Sequence, residues 1–504
     1  HPSLTVSRVP SRSLQQSKAT SLFVELVRQG VRNITFARAR KVAELILLYA
    51  RQTLQKAEPA LAERIRAYRA GYRPEERRAI ERGVAKGEII GVTATNALEL
   101  GVDIGGLDAV VMVGYPGTVA SLWQQAGRAG RSSQESLAIL IGLDTPLDQY
   151  FMRHPHDLFG RPLEQALIDP DNVYILERHL PCAAHELPLR VENEPGGLSD
   201  AALFGPGFEE AMVNPEERET LHYRGDRWTY TGTDYPAQHV SLRAVGSRRI
   251  AILDEGDNYR TLEEVEASTA TFRVHPGAIY LHQGDAYQVM ELNLEAGHAI
   301  VRRAEIDWYT QPREVNDVRI VRSLSHQALP TTTAYFGRVR VRSQVIGYRR
   351  LQQYSEAVIG EEMLDLPAQI FETQALWWGV PPETVQAVGR VGLDFLGGIH
   401  AVEHAAISIL PLFAMCDRWD IGGLSTPRHP DTGLPQVFIY DGFPGGVGIA
   451  QEGFRRLPEL WQATLKVIRD CPCAIGCPSC IQSPKCGNNN DPLDKAAARL
   501  ILET

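Results

Sequence analysis

The sequence has no long apolar run and no excess of positive charge. No window approaches the roughly 18 uninterrupted apolar residues of a membrane span, and the amino-terminal residues lack the charged-then-apolar pattern of a signal peptide. We therefore expect a soluble, cytoplasmic chain with no membrane partner. The formal net charge of −9 excludes a protein that coats nucleic acid through a general basic field, so any such contact must be local.

A nucleotide-binding P-loop is also absent, because no glycine is followed by lysine anywhere in the 504 residues. That loop cradles the phosphates in P-loop NTPases. The sequence thus predicts that this polypeptide alone does not hydrolyse ATP. It starts at His1 without a methionine, and we interpret it as a fragment of a longer protein.

Two stretches between residues 93 and 131 carry the most specific chemistry. The first is Thr-Ala-Thr-Asn-Ala-Leu-Glu-Leu-Gly-Val-Asp, and the second is Gln-Gln-Ala-Gly-Arg-Ala-Gly-Arg, ending at Arg131. Two arginines three residues apart on a helix can point at one anion, and guanidinium groups match phosphate oxygens. The alternative is a helix end with solvent-facing arginines.

These stretches resemble motifs V and VI of superfamily 2 helicases, in their second RecA-like domain, and Arg38-Ala39-Arg40 after a predicted strand resembles motif IV. The resemblance implies that Arg128 and Arg131 reach the γ-phosphate of ATP held by the first RecA-like domain and that Gln124 senses ATP. It places Gly101 and Asp103 near the nucleotide. The implied DNA-backbone contacts are Thr93, Thr95, Arg38 and Arg40.

Changes in periodicity along the chain predict four domains. Residues 1–17 are a polar linker, and strands alternating with helices over 18–145 indicate a RecA-like α/β domain with a parallel sheet. Residues 146–238 carry short helical runs and Arg227-Trp228-Thr229-Tyr230, typical of a connector and a winged-helix-like domain. Residues 239–350 alternate as in a β-rich, barrel-like domain, and 351–504 are expected to form a mainly helical zinc-binding domain.

Several stretches after residue 145 resemble the mitomycin repair factor A (MrfA) family of bacterial helicases. They include His154-Pro155 and the run from Cys182 to Pro188. The resemblance implies 3′ to 5′ translocation on single-stranded DNA, a role in DNA repair, and ATP with magnesium in the complete helicase. The implied partners are single-stranded or tailed DNA and the amino-terminal RecA-like domain of the same protein. A non-catalytic DNA-binding or scaffold module is the alternative.

Five of the seven cysteines lie within sixteen residues, Cys471, Cys473, Cys477, Cys480 and Cys486. In a chain without export signals this density indicates a metal rather than disulfides. Zinc takes four thiolates, and we choose Cys471, Cys477, Cys480 and Cys486, because a tight turn between Cys471 and Cys473 leaves room for only one of them. Cys473 in place of Cys471 and an iron–sulfur cluster remain alternatives. A site closed by four cysteines is structural.

Three further patterns have a functional and a structural interpretation. His400-Ala-Val-Glu403-His404 fits an inverted zinc-protease signature, which would make the chain a metallohydrolase, but its apolar flanks favour buried, hydrogen-bonded side chains. The glycine loop after Asp441 mimics a phosphate cradle, yet its spacing favours a turn whose amides hold a carboxylate or a DNA phosphate. Arginine and aromatic residues that interleave in the β-rich region could clamp a single strand or simply cover the sheet; they are Arg303, Trp308, Tyr309 and Arg313.

Overall fold

The chain begins with a parallel sheet covered by helices. The computed structural model describes residues 12–100, 107–130, 135–160, 162–164, 166–190, 199–217, 220–240 and 248–504. Within them the first sheet comprises β1 (Asn33–Ala37), β2 (Ile65–Tyr68), β3 (Gly91–Ala94), β4 (Ala109–Val113) and β5 (Leu137–Ile141). Their order is β2-β3-β1-β4-β5, and all neighbours are parallel. The predicted α/β domain is confirmed.

The helices of this domain bury one apolar stripe each against the sheet. They are α1 (Arg12–Arg28), α2 (Arg40–Ala57), α3 (Pro59–Ala62), α4 (Pro74–Ala85) and α5 (Val119–Ala126). In α2 the residues at helical spacing are at most 1% exposed: Ala43, Ile46, Leu47, Ala50 and Leu54. Strands β1, β3 and β4 are buried on both faces, which explains why they read as continuous apolar runs.

This core continues past residue 145. Helices α6 (Pro146–Arg153) and α7 (Pro155–Phe159) contribute Leu147, Phe151 and Leu158 to it. Thr145 caps α6 by accepting a hydrogen bond from the Asp148 backbone N–H at 3.2 Å. The two helices therefore pack as part of the α/β unit rather than as a connector.

A small helical unit with a hairpin follows. It consists of α8 (Val173–Glu186), α9 (Asp200–Phe204), α10 (Phe208–Glu217), β6 (Leu221–Arg224) and β7 (Arg227–Tyr230). Leu180, Phe208, Ala211 and Leu221 form its separate core. Helices packed on a two-stranded wing confirm the winged-helix-like prediction.

The β-rich region starts with a second five-stranded sheet among the described residues. It contains β8 (Arg249–Asp254), β9 (Arg260–Glu266), β10 (Ile279–His282), β11 (Asp285–Asn293) and β12 (His298–Arg303), with helix α11 (Ala267–Arg273) beside it. The order is β10-β11-β12-β8-β9. Ile250 and Ile252, two residues apart, both point into the core, as the alternating pattern of β8 predicts.

A third sheet crosses the predicted boundary at residue 350. Its strands are β13 (Trp308–Ala328), β14 (Thr333–Gln352), β15 (Val358–Met363), β16 (Gln369–Gly379), β17 (Ile421–Thr426) and β18 (Gln436–Asp441). The order is β13-β14-β16-β18-β17, with β15 paired to β14. The region expected to be mainly helical thus also supplies four strands, which continue the sheet begun by the long β13–β14 hairpin.

The carboxyl-terminal helices pack around one buried helix. They are α12 (Pro382–Arg390), α13 (Phe395–Ile409), α14 (Ile449–Arg455), α15 (Leu457–Asp470) and α16 (Lys495–Glu503). By length and composition Phe395–Leu412 could cross a membrane, but 72% of that window is buried inside the protein. Helix α13 thus occupies the centre of a folded core, as predicted.

Candidate functional site

Motif residues gather where the parallel strands β1 and β3 end. Because the two strands are neighbours, Arg38 after β1 and Thr95 after β3 lie at the same edge of the sheet, where open α/β sheets bind ligands. Thr95 is 7% exposed, whereas Thr93 lies within β3 and is fully buried. The DNA contact predicted for Thr93 is at odds with that burial, because Thr93, the first residue of motif V, lies inside strand β3 and not in a surface loop.

Both arginines predicted to contact DNA have carboxylate partners from distant parts of the chain. Arg38 Nη2 lies 2.9 Å from Asp417 Oδ1, and Arg40 Nη1 lies 3.0 Å from Glu263 Oε1. Burial opposes the Arg38 charge, but Asp417 and Asp148 raise the pKa of this arginine. In this structure the two side chains join the α/β domain to the later domains, and their DNA contacts stay a prediction.

Motifs V and VI are tied together by one buried carboxylate. Ser121 Oγ donates to Glu99 Oε1 at 2.7 Å, and Gln125 Nε2 donates to Glu99 Oε2 at 2.9 Å. Gln124, the predicted contact, lies half-buried on the neighbouring face of α5. The sequence prediction did not include Gln125. Trp123 lies on the exposed face of α5 and Gln125 on its buried face.

The prediction that Arg128 lies on a helix is wrong. Helix α5 ends at Ala126, with Gly127 as its C-cap, and Arg128 follows in the turn. Gly130 has φ +81°, which ends any helical continuation. Arg128 is half-buried at this turn. Arg131, Gly101 and Asp103 lie outside the described residues, so their nucleotide roles stay predictions.

Four thiols form a second site near the end of α15. The Sγ atoms of Cys471, Cys473, Cys477 and Cys480 lie within 4.8 Å of one another. The separations are 3.6 Å for Cys471–Cys473, 3.5 Å for Cys471–Cys477, 3.5 Å for Cys473–Cys480 and 3.8 Å for Cys477–Cys480. Thiolates about 2.3 Å from a tetrahedral zinc ion are about 3.8 Å apart. The residues present therefore fit a closed four-thiolate zinc site.

This grouping corrects the predicted ligand set, because Cys473 replaces Cys486. Cys471 has extended backbone angles, φ −73° and ψ 125°, and not those of a tight turn. Alternate residues of an extended segment face the same side, so both Cys471 and Cys473 reach the site. Cys486 lies instead 3.4 Å from His400 Nε2.

Backbone and side-chain groups hold the cysteine loop in shape. Lys495 Nζ donates to the carbonyl oxygens of Cys471 at 2.7 Å and Cys473 at 2.6 Å. The Cys477 backbone N–H donates to Cys480 Sγ at 3.3 Å. Hydrogen bonds from Cys477 and Cys480 lower the pKa of the Cys471 thiol well below its usual range, and the same hydrogen bonds raise the pKa of the Cys477 and Cys480 thiols. The thiolate, the form that binds metal, is thus stabilised at Cys471.

The protease-like pattern does not assemble as that signature requires. His400 and His404 share a face of α13 with rings 4.2 Å apart, but Glu403 packs against β17. A Cβ on Gly423 of that strand would lie 2.7 Å from Glu403 Oε1. Among the described residues the group with both histidines includes Cys486 and no carboxylate. Glu403 is therefore not a member of this group of possible ligands, and its carboxylate lies beside β17.

The glycine loop after β18 is filled by a carboxylate of the chain itself. Asp441 accepts backbone hydrogen bonds from Val447 at 2.7 Å, Gly448 at 3.1 Å, Ile449 at 3.2 Å and Ala450 at 2.7 Å. Burial raises the pKa of Asp441 to about 6, and the four amides oppose that rise. The amides predicted to hold a carboxylate hold Asp441, which leaves no phosphate cradle at the start of α14.

The interleaved arginine and aromatic residues mostly face partners within the protein. Arg303 pairs with Asp285 at 2.8 Å and Arg313 with Glu361 at 2.8 Å. Tyr309 is 5% exposed. In the winged-helix hairpin, the Tyr223 and Trp228 rings lie 5.2 Å apart behind the turn. The structure favours the covering role in the β-rich region.

Three family models match separate parts of the chain. The helicase conserved C-terminal domain matches residues 17–133, the winged helix domain of the ATP-dependent helicase HRQ1 matches 168–245, and the MrfA Zn-binding domain matches 402–481. The last match includes the four gathered cysteines and stops before Cys486. Together they define a class, the superfamily 2 helicases with an appended winged helix and zinc-binding domain.

Curated relatives match more than nine tenths of this chain. The chain is 38% identical over 469 residues to the uncharacterized ATP-dependent helicase YprA of Bacillus subtilis, covering 92% of this chain and 61% of that protein. It is 31% identical over 509 residues to the ATP-dependent helicase HRQ1 of Saccharomyces cerevisiae, covering 96% of this chain and 46% of that protein. The chain thus spans about half to three fifths of the length of these relatives.

Solved structures match nearly the whole chain. A structure of the DUF1998 helicase MrfA bound to DNA superposes with a TM-score of 0.68 at 35% identity, covering 99% of this chain and 66% of that one. The same helicase bound to DNA and AMPPNP gives 0.65 at 35% identity, covering 99% and 64%. The chain belongs to the MrfA/YprA-like family of superfamily 2 helicases and corresponds to its carboxyl-terminal part.

Proposed function

We propose that this chain supplies the second motor domain and the carboxyl-terminal domains of an ATP-dependent DNA helicase. The observation that carries the proposal is the pair of hydrogen bonds that Ser121 and Gln125 donate to the buried carboxylate of Glu99, which link motif VI to motif V in the RecA-like domain. A direct link between the motif proposed to contact DNA and the motif proposed to contact the nucleotide suits a motor that converts ATP hydrolysis into movement.

Arg128 and Arg131 are proposed to stabilise the charge on the phosphoryl group in transfer. Arginine suits this role because its charge is permanent and its donors match phosphate oxygens. Gln124 would sense ATP, and Gly101 and Asp103 would lie beside the nucleotide, which the first RecA-like domain would hold with magnesium. This chain alone has no P-loop and would not hydrolyse ATP.

Single-stranded or tailed DNA is the proposed substrate, with 3′ to 5′ translocation and a role in DNA repair in the cytoplasm. The DNA-bound MrfA structures at 35% identity support a DNA partner. Thr95, Arg38 and Arg40 at the edge of the first sheet would contact the DNA backbone. For the two arginines this requires that their carboxylate partners be exchanged for phosphates.

The four-cysteine site is proposed to hold a structural zinc ion. Cys471, Cys473, Cys477 and Cys480 would bind it as thiolates and leave no open position, so the ion would fix the loop between α15 and α16.

The test is an unwinding assay with the chain joined to a P-loop RecA-like domain of the family. We expect DNA-stimulated ATPase activity and unwinding of duplexes with a 3′ tail, none with a 5′ tail, and no ATPase from the chain alone. DNA binding without any ATPase in the joined protein would favour a non-catalytic DNA-binding module instead. Unwinding from a 5′ tail would overturn the polarity alone.

A further inference from the structure

A second group of possible metal ligands lies beside the four-cysteine site. His400 and His404 of α13 and Cys486 of the loop between α15 and α16 each offer a ligand atom, and these atoms lie within 4.8 Å of one another. His404 is 4% exposed, while His400 and Cys486 are half-buried. The cluster thus has a closed inner side and a side that solvent can reach.

Both histidine rings are held in the orientation that metal-binding histidines adopt. His400 Nδ1 lies 2.9 Å from the Pro492 carbonyl oxygen, and His404 Nδ1 lies 2.9 Å from the Ile481 carbonyl oxygen. A carbonyl oxygen only accepts hydrogen bonds, so each Nδ1 carries the proton. In the neutral form of each ring Nε2 then keeps its lone pair, and a backbone acceptor on the opposite nitrogen is the usual support of a metal-bound imidazole.

Cys486 completes the group with a sulfur atom at a fitting distance. Its Sγ lies 3.4 Å from His400 Nε2 and accepts a hydrogen bond from the Asn490 backbone N–H at 3.2 Å. An N–H donor of this kind stabilises a thiolate. Ligands of a tetrahedral zinc ion, with Zn–N about 2.1 Å and Zn–S about 2.3 Å, lie about 3.6 Å apart.

We propose that His400 Nε2, His404 Nε2 and Cys486 Sγ bind a second zinc ion, separate from the four-thiolate site. Three protein ligands leave a fourth position for water on the side of half-buried His400 and Cys486. Two nitrogens and one sulfur suit zinc, a borderline-soft ion. The inference does not depend on the helicase activity.

The second ion would connect α13 to the cysteine loop. His404 bonds to Ile481, the residue after the zinc ligand Cys480, so the two sites share one segment of backbone. A metal bound here would fix residues 481–492 against the buried helix. Because its fourth position is open, this ion should leave to a chelator before the four-thiolate zinc does.

The test is the zinc content of the purified, tag-free chain by elemental analysis, with single variants. We expect two zinc ions per chain in the wild type and in the control Cys182→Ser, whose cysteine lies in neither group. Cys486→Ser and His400→Gln should each retain one ion. One zinc in the wild type, or two in both variants, would overturn the proposal.

X-ray absorption at the zinc edge of the wild-type chain keeps the proposal testable if the variants do not fold. We expect a mixture of sulfur and nitrogen ligands, since one site offers four thiolates and the other one thiolate and two imidazoles. The nitrogen component should disappear, together with one ion, after mild chelation. A sulfur-only first shell in the untreated wild type would overturn the second site and leave the four-thiolate site intact.

Discussion

The guanidinium of Arg38 donates a hydrogen bond to the carboxylate of Asp417 at 2.9 Å, across 379 residues of sequence. Arg38 follows the first strand of the RecA-like sheet, and Asp417 precedes β17 of the zinc-binding region. The pair therefore connects the edge of the RecA-like sheet to the region that carries the four-cysteine site and the His400–His404–Cys486 group. The bond to Asp417 also engages the guanidinium of Arg38, which we propose to contact DNA.

Replacing Arg38 with alanine should weaken single-stranded DNA binding and reduce the slope of log affinity against log salt by about one, because one phosphate contact is lost. Asp417→Asn should raise affinity, since it removes the competing charge. The measurement is a salt titration of DNA affinity, with Arg78→Ala, an exposed arginine of α4, as the control. If Arg38 only joins the domains, both variants will lower the free energy of unfolding and leave the salt slope unchanged.

Arg128→Ala should lower the DNA-stimulated ATPase rate of the chain joined to a P-loop domain by about 10³-fold or more, as loss of an arginine finger does. DNA affinity should stay within about twofold, because the turn after α5 does not carry the proposed DNA contacts. ATP turnover and DNA binding would be measured on the same preparation. A parallel loss of both would mean that Arg128 shapes the motif V–VI junction and does not act on phosphate.

Local patterns predicted the elements of the first domain, because each strand and helix there follows one period of burial. The alternation of strands and helices predicted over residues 18–145 contains strand Ala109–Val113 and helix Pro74–Ala85, among others. The sheet that joins β14 to β16 and β18 was missed, since its paired residues lie far apart in the sequence, as Ala375 and Tyr440 do, and no local signal encodes that pairing.

In the candidate sites, too, the sequence predicted the local features and missed those that depend on distant contacts. The sequence identified the cysteine cluster but not which sulfur atoms meet, because the choice between Cys473 and Cys486 depends on the backbone angles after α15 and on a contact with α13. The Glu99–Gln125 bond was likewise invisible, since it depends on how the segment after β3 packs on α5. Distant packing decides both.

Gly476→Ala should destabilise the cysteine loop. Gly476 has φ +115°, and a Cβ there would lie 2.4 Å from Ile481 Cδ1, so the variant meets backbone strain and a clash together. We expect the free energy of unfolding to fall by about 1–3 kcal/mol, with faster zinc loss to a chelator. Gly389→Ala in α12 is the matched control, because nothing lies within 4 Å of its Cβ position; it should be neutral or stabilise by up to about 1 kcal/mol. Equal effects of the two substitutions would contradict this account of the loop.

Lys41 should make stability depend on pH in the alkaline range. Lys41 is half-buried at the junction with the β-rich region, where its Nζ donates to the Thr310 carbonyl oxygen at 3.1 Å and lies 3.4 Å from the centre of the Tyr309 ring. Burial lowers the pKa of Lys41 from 10.5 to about 7, although Glu356 opposes this.

The unfolded chain therefore holds this proton between pH 7 and about 10.5 while the folded chain releases it, and the destabilisation from the buried charge is relieved as pH rises. Relative to Lys41→Met, the wild type should gain stability from pH 7 to pH 9.5, and below pH 7 the difference should be constant. Denaturant unfolding of both proteins across this range measures it, with Lys86→Met, whose side chain is 67% exposed, as the control. A difference between wild type and Lys41→Met that does not change with pH would mean that the Lys41 ammonium keeps its proton in the folded protein, held by Thr310, Tyr309 and Glu356.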